Sequence, residues 1–295
     1  VTVYTTDIDT EGKVPLAKIV DGNLKNGTIL DGIKIYYFRA SFPRVWEYWR
    51  VGFLPAFLPR HWEYSRDLHR ALSQSAKNFD LAHITSTFLF ASVLGVWYAK
   101  KNRKPSIISP RGNLMEPLEL KEPLGKKLYI ALVERWALKN AAVIHFTVSR
   151  EEEDYKKYRK EYFLPIFRKS VVIPNGIEEE EFKKPPEKNY FRRRFDIGPD
   201  KKIILFLGRL NWKKGLDTLI PAFAQVAEKE PRALLVIAGG DDGGYRKEVE
   251  GWVDDYKLRD RVLFTDLIVG ENKLGVLRDA QVFILPSYSE NFGMS

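Results

Sequence analysis

The chain has 295 residues, 44% of them hydrophobic and 29% charged, with no cysteine and a formal net charge of +9. That length supports two domains with cores of their own, and the balance of apolar and charged residues is that of a globular protein, not a disordered or fibrous one. Without thiols, disulfides and cysteine-ligated metal are excluded.

No basic n-region followed by an apolar h-region opens the chain, so no secretory signal is expected and a cytoplasmic location follows. Val1–Asp7 (VTVYTTD) reads as a strand. Phe42–Tyr64 mixes aromatic residues with Arg44, Arg50 and Arg60. Two readings of it stand side by side, a membrane-interface segment and an aromatic-rich connection covering the first sheet. Leu81–Ala99 is uncharged for 19 residues, but His83, Thr85, Ser86, Thr87 and Ser92 make it too polar to span a bilayer. It parses as a buried strand ending near Ile84, a Ser/Thr cap and a helix to about Ala99.

Ile107-Ile108 marks a short strand, and Arg111-Gly112 stands at its end, where open α/β sheets bind ligands. Leu128, Leu132, Val133 and Trp136 place one apolar face on a helix over Leu124–Asn140. Ala142–Val148 predicts a strand, with Ser149 as the cap of the next helix and Glu152 three residues on. The acidic run Glu151–Asp154 fits that helix's first turn, where it complements the dipole, and gives no reason to expect a metal. Val171–Pro174 is a further strand, and Asn175-Gly176 supplies a turn with positive φ. Residues 178–200 are charged, hold Pro185-Pro186 and Gly198-Pro199, and read as a linker between domains at 1–177 and 201–295.

The second domain opens on IILFLGRLNWKKGLD (Ile203–Asp217). An apolar run ends at Gly208, two cations follow in Arg209 and Lys214, and Leu216, Leu219, Ile220 and Phe223 give the next helix a core-facing stripe. Gly208 permits close backbone approach to a ligand, and the two cations suit two phosphates. An ordinary loop with solvated basic residues explains the same stretch taken alone. Ala238–Gly244 (AGGDDGG) is a flexible loop after another buried strand; one reading has it line the nucleotide site, but a lone Gly-rich turn is weak evidence and connection alone accounts for it. Near the end, a strand over Val282–Leu285 leads through Pro286 to Glu290, with the amides of Asn291, Phe292 and Gly293 expected at a nascent helix N-terminus. One cationic and one carboxylate-bearing joint in one α/β unit suit a nucleotide sugar.

GRLxxxKGxxxL (Gly208–Leu219), VIPNGI (Val172–Ile177) and LPSxxENFGM (Leu285–Met294) together resemble the family 4 glycosyltransferases. The resemblance implies the α/β GT-B fold, two doubly wound Rossmann-like domains facing a cleft. It also implies a retaining transfer of sugar from a nucleoside diphosphate sugar to a glycan or lipid-linked acceptor. By resemblance Arg209, Lys214 and Glu290 are catalytic, and Gly208, Asn291, Phe292 and Gly293 bind the donor. Arg111 and His83 lie on the acceptor side, His83 more as a structural strand-end residue than as a catalyst. Two departures stand out: Ser109-Pro110-Arg111 where many members carry a histidine, and Asp266 where many carry a glycine beside the base. The first strand and helix, and a helix with a second glutamate at the far end, are expected to be missing from this chain.

No cofactor is expected beyond the co-substrate, a UDP- or GDP-sugar, and no DxD motif is present, so metal independence is expected. Residues 1–170 carry 28 Lys+Arg against 18 Asp+Glu, whereas residues 171–295 carry 20 against 21. The basic first half calls for an anionic partner, a phosphorylated acceptor or the inner face of an anionic membrane. Nucleic acid is not expected, because no helix-turn-helix, RNP-type or zinc-finger pattern occurs. The alternatives are a nucleotide-sugar binder without turnover and a membrane-surface interaction module.

Overall fold

The computed structural model describes residues 1–6, 19–20, 28–39, 64–115, 129–161 and 169–293. The aromatic stretch before Tyr64, the start of the Leu124–Asn140 helix and Met294 lie outside them. The chain divides into two compact units, Val1–Asn175 and Gly176–Ser295.

The first unit holds two four-stranded sheets. In one, β4 (Ile33–Phe38) pairs in parallel with β1 (Thr2–Thr6) and β2 (Ile19–Val20), and antiparallel with β3 (Thr28–Leu30). Tyr4 stacks on Tyr36 and Phe38, and α1 (Arg66–Ser75), capped by Ser65 Oγ, covers that face with Leu68 and Ala71. The other sheet is parallel in the order β5-β6-β7-β8, from Ala82–Thr85, Ser106–Ser109, Val143–Phe146 and Ser170–Val172.

Helix α2 (Phe90–Lys101) packs Leu94 and Tyr98 into the first core and Val96 into the second. A helix wanted by two cores is apolar all round, which accounts for the long uncharged run. The expected Ser/Thr cap is absent: Leu89 holds the N-cap position and makes no side-chain cap bond. Among the described residues no helix is long and apolar enough to cross a membrane.

Three further expectations need correction here. Ile130–Glu134 is π-helical and runs into α3 (Arg135–Asn140). The residue inserted by each i→i+5 bond turns the face, so Ile130, Ala137 and Leu138 are buried while Leu132 is 58% exposed. Helix α4 (Ser149–Glu161) is anchored by Glu151 and not by a Ser149–Glu152 box: the Glu151 carboxylate reaches back to the Thr147 amide at 2.8 Å, and Glu152 accepts from Ser170 Oγ. Asn175-Gly176 is not a positive-φ turn, because the Asn175 amide oxygen is engaged by Arg111 in place of its own backbone.

The second unit is one parallel sheet in the order β11-β10-β9-β12. Its strands are β9 (Lys202–Leu207), β10 (Ala233–Ala238), β11 (Val262–Phe264) and β12 (Val282–Phe283). The short α5 (Glu179–Lys183) and α6 (Tyr190–Arg194) precede β9. Helices α7 (Leu216–Lys229), α8 (Tyr245–Asp255) and α9 (Gly270–Asp279) link the strands.

The stripe Leu216, Leu219, Ile220 and Phe223 is buried as its spacing predicts. The stretch expected as a linker lies in this second unit. Phe191 of α6 is fully buried against β9 and α9, and the Asp279 carboxylate accepts from the amides of Asn189 and Phe191 at 2.7 and 3.0 Å. A charged sequence there conceals one aromatic anchor.

The sheet order decides where a ligand belongs. From β9 the chain steps outward to β10 and β11, then returns to the other side of β9 as β12. The β9–β12 boundary is therefore a topological switch point, where loops leave in opposite directions and open a crevice at the strands' carboxyl ends.

Candidate functional site

Both cationic and acidic motifs of the second unit meet at that switch point. After β9 the chain passes Gly208 and Arg209, forms a single 3-10 turn at Trp212–Lys214, and enters α7 through Gly215. Asn211 Oδ1 accepts from the Lys213 amide at 3.0 Å and fixes the turn. Gly215 has φ +69, and a Cβ there would lie 2.2 Å from the Pro286 carbonyl oxygen. Glycine is required both for the left-handed conformation and for that contact. The Tyr288 amide donates to the Lys213 carbonyl at 2.9 Å, so the loops after β9 and β12 are joined main chain to main chain.

This frame sets Lys214 Nζ 2.5 Å from Glu290 Oε1, with the side chains 15% and 30% exposed. Ser287 Oγ donates to the same carboxylate at 2.7 Å. Burial acts to raise the Glu290 pKa, but the bonds from Lys214 and Ser287 and the charges of Lys214 and Arg209 outweigh it and hold the carboxyl below its ordinary value. Glu290 is therefore an anion at neutral pH, ready to accept from hydroxyl groups. Residues 284–293 are irregular, so no helix begins at Asn291, Phe292 and Gly293 within the described residues. Gly293 has φ +71.

Arg209 Nη1 lies 2.8 Å from Asp242 Oδ2, and Asn211 Nδ2 donates to the same oxygen at 3.0 Å. Asp242 belongs to the AGGDDGG loop, which is bound closely to the Arg209 loop. Gly208 donates to Ala238 O, Leu210 to Gly240 O and Asp242 to Leu210 O, at 2.9, 2.9 and 3.2 Å. A Cβ on Gly239 would stand 1.8 Å from the Gly208 carbonyl oxygen. Asp266, after β11, takes φ +56, the conformation a glycine adopts most readily, and its carbonyl accepts from the Gly239 amide at 2.9 Å.

In the first unit, Arg111 (φ +55) and Gly112 (φ +86) form the turn after β6. Arg111 Nη1 donates to Asn175 Oδ1. The Gly112 amide donates to Glu151 Oε1 at 2.6 Å, while Glu151 Oε2 takes the amide and hydroxyl of Thr147 at 2.8 and 3.0 Å. His83 stands within β5, its ring 6.0 Å from that of His145. Burial first, then His145 and Arg111, hold its pKa below the ordinary value, so the imidazole is neutral at pH 7. Glu134 is 1% exposed and accepts from the Phe88 amide at 3.1 Å. That bond secures a loop after β5 in which Ser86 and Phe88 have φ +77 and +63.

Residues 37–176 match the family described as glycosyl transferase 4-like domain, and residues 187–295 match glycosyl transferases group 1. The chain belongs to the family 4 glycosyltransferases. An alpha-monoglucosyldiacylglycerol synthase of Streptococcus pneumoniae is 25% identical over 266 residues, 85% of this chain and 56% of that protein. An uncharacterized glycosyltransferase of Methanocaldococcus jannaschii is 36% identical over 145 residues, 47% of this chain and 36% of its own length. The family 4 chain thus spans little more than half of one relative and about a third of the other. Its fold is GT-B: the Anabaena Alr3699/HepE structure in complex with UDP and glucose superposes with TM-score 0.66 and 15% identity, over 99% of this chain and 75% of that one.

Within this family 4 chain, motif spacing singled out Arg209, Lys214 and Glu290 but passed over three groups that the structure shows held by specific partners. Asp242 lay in a stretch explained by connection alone. Glu151 was one acid in a run read as a first turn complementing the helix dipole, and Glu134 gave no signal, being a single acid in a helical pattern. What distinguishes all three is burial or a partner far along the chain, which local pattern does not encode.

Proposed function

We propose that this chain carries the donor site, and part of the acceptor side, of a retaining glycosyltransferase that uses a nucleoside diphosphate sugar. The observation that carries this reading is the meeting of Lys214, Glu290 and Arg209 at the β9–β12 switch point. The bond that breaks joins the sugar's anomeric carbon to the β-phosphate oxygen, and negative charge builds on the departing diphosphate. Arg209 and Lys214 stabilise that charge. Glu290, held ionised, orients the sugar through its hydroxyls, and the backbone of Asn291–Gly293 borders it together with Gly208. The acceptor oxygen forms the new bond on the face the diphosphate leaves, and the acceptor's proton passes to that diphosphate. Two cations suffice for this charge, so the transfer proceeds in the presence of EDTA.

The donor is a UDP- or GDP-sugar; UDP is favoured by the ligand named with the Anabaena structure. The acceptor is a glycan or a lipid-linked group, for which Arg111 and His83 of the first unit are the candidate contacts. A lipid is favoured by the diacylglycerol in the pneumococcal relative's name. Calorimetric titration with UDP, GDP and ADP tests the reading. Micromolar binding of one of them, weakened by about 1.5–3 kcal/mol in Arg209→Ala and in Lys214→Ala, is expected. No binding to any of the three by the folded protein overturns it.

A second reading, attachment to an anionic lipid surface, is favoured by one feature of the first unit. An open apolar groove is lined by Phe90, Trp97, Leu132 and Trp136, and Lys101 and Lys100 stand 5.1 and 5.7 Å over the Trp97 and Trp136 rings. Aromatic rings beside lysines suit the headgroup level of a bilayer. Co-sedimentation with anionic vesicles but not with zwitterionic ones is expected, and equal recovery with both excludes it.

A further inference from the structure

The Arg209 guanidinium, assigned above to the diphosphate, already has an anion on it. Asp242 accepts from Arg209 Nη1 at 2.8 Å and from Asn211 Nδ2 at 3.0 Å. The carboxylate is not there by a chance of rotamer. The bridge between Leu210 and Asp241, with the Asp242 amide on the Leu210 carbonyl, brings this position beside Arg209 whatever its side chain. The pair is accessible, Arg209 64% exposed and Asp242 28%. It is weak enough to exchange for a better anion, since exposed ion pairs are worth little.

We propose that Asp242 is a specificity-determining residue that competes with the diphosphate for Arg209 and so weakens retention of the nucleoside diphosphate product relative to the donor. The inference rests on the donor-site reading above. A free diphosphate carries one more negative charge on its terminal phosphate than the same phosphate esterified to sugar. A fixed carboxylate beside Arg209 therefore repels product more than donor, and it is at hand to recover the guanidinium as product leaves. Lys214 is matched in the same way by Glu290, but Glu290 also accepts from Ser287 and is assigned above to the sugar, whereas the partners of Asp242 are Arg209 and Asn211.

The sign of the effect separates this role from a scaffolding one. If Asp242 served only to hold Arg209 in place, removing its charge would loosen the arginine and weaken the diphosphate. If Asp242 is a competitor, removing its charge tightens it. The experiment is calorimetric titration of the parent protein, Asp242→Asn and Asp242→Ala, with UDP, GDP or ADP, whichever the parent binds. The matching monophosphate and UDP- or GDP-glucose are titrated alongside, with thermal melts to confirm folding. The nucleoside diphosphate is expected to bind about three- to fivefold tighter to both variants, the size of one exposed ion pair. The nucleotide sugar gains less, and the monophosphate changes less than twofold. Unchanged or weaker diphosphate binding by folded variants overturns the proposal while leaving the donor site in place. A parent that binds no nucleoside diphosphate removes the donor-site reading and this inference with it.

Discussion

The carbonyl oxygen of Gly208 stands where a side chain on Gly239 would have to begin: a Cβ at Gly239 would lie 1.8 Å from it. The oxygen belongs to main chain and the Cβ would be fixed to main chain, both just past the end of the β9–β10 ladder, where Gly208 donates to Ala238. No rotamer change relieves the overlap. Gly239→Ala is therefore expected to cost about 3 kcal/mol or more, an overpacking penalty without an outlet. Urea denaturation of parent and variant measures it, and a loss below about 1 kcal/mol refutes the rigidity inferred for this joint.

Lys214 and Glu290 are partners of unequal dependence. Neutralising Glu290 leaves a lysine 15% exposed without its anion, and removing Lys214 leaves the carboxylate with the bond from Ser287 and the charge of Arg209. A double-mutant cycle of Lys214→Met and Glu290→Gln, read by chemical denaturation without ligand, is expected to give a coupling of about 1 kcal/mol. Additive losses would show that the two side chains do not interact in the free protein.

Glu134 makes stability depend on pH in the sense opposite to that of an ion-paired acid. Burial pushes its carboxyl from an ordinary 4.5 up to about 7, and the bond from the Phe88 amide offsets only part of that. Between those values the folded chain keeps a proton that the unfolded chain has lost. The contribution is thus complete below pH 4.5 and falls away as pH rises toward 7. Its full size is about 3 kcal/mol. Glu134→Gln keeps the shape and cannot ionise. It is expected to melt above the parent at pH 8 and to lose that advantage at pH 5. A pH-independent difference between the two counts against the assignment.

The Arg111–Gly112 turn owes its shape to a buried acid. Glu151 accepts from Gly112, from the Thr147 amide and from the Thr147 hydroxyl. Glu151→Ala strands two amides and is expected to cost about 3 kcal/mol, whereas Thr147→Val removes one bond and costs about 1 kcal/mol. Guanidinium titrations of both variants test the ranking, which a larger loss in Thr147→Val reverses.

Particular residues show what a sequence carries plainly and what it does not. The stripe on α7 is local: Leu216, Leu219, Ile220 and Phe223 follow the helical period, and all four are buried. Motif order placed Lys214 and Glu290 in one unit. That they touch, 76 residues apart, depends on β12 returning beside β9, which no window of sequence contains. The π-helical turn at Ile130–Glu134 shifts the buried face by one residue and so defeats a strict helical count. The acidic run Glu151–Asp154 reads in sequence only as charge suited to a helix's first turn, yet Glu151 is fully buried. Its burial is set by the amides of Gly112 and Thr147, which any residue type would present.

The junction between Gly215 and Pro286, with the Tyr288 amide on the Lys213 carbonyl, is written in backbone atoms. Such a junction is indifferent to the side chains that project from it. Exposed side chains beside it, such as Trp212, 46% exposed, can therefore be exchanged without disturbing the frame that holds Lys214 against Glu290. A laboratory library confined to such positions is expected to leave that frame intact.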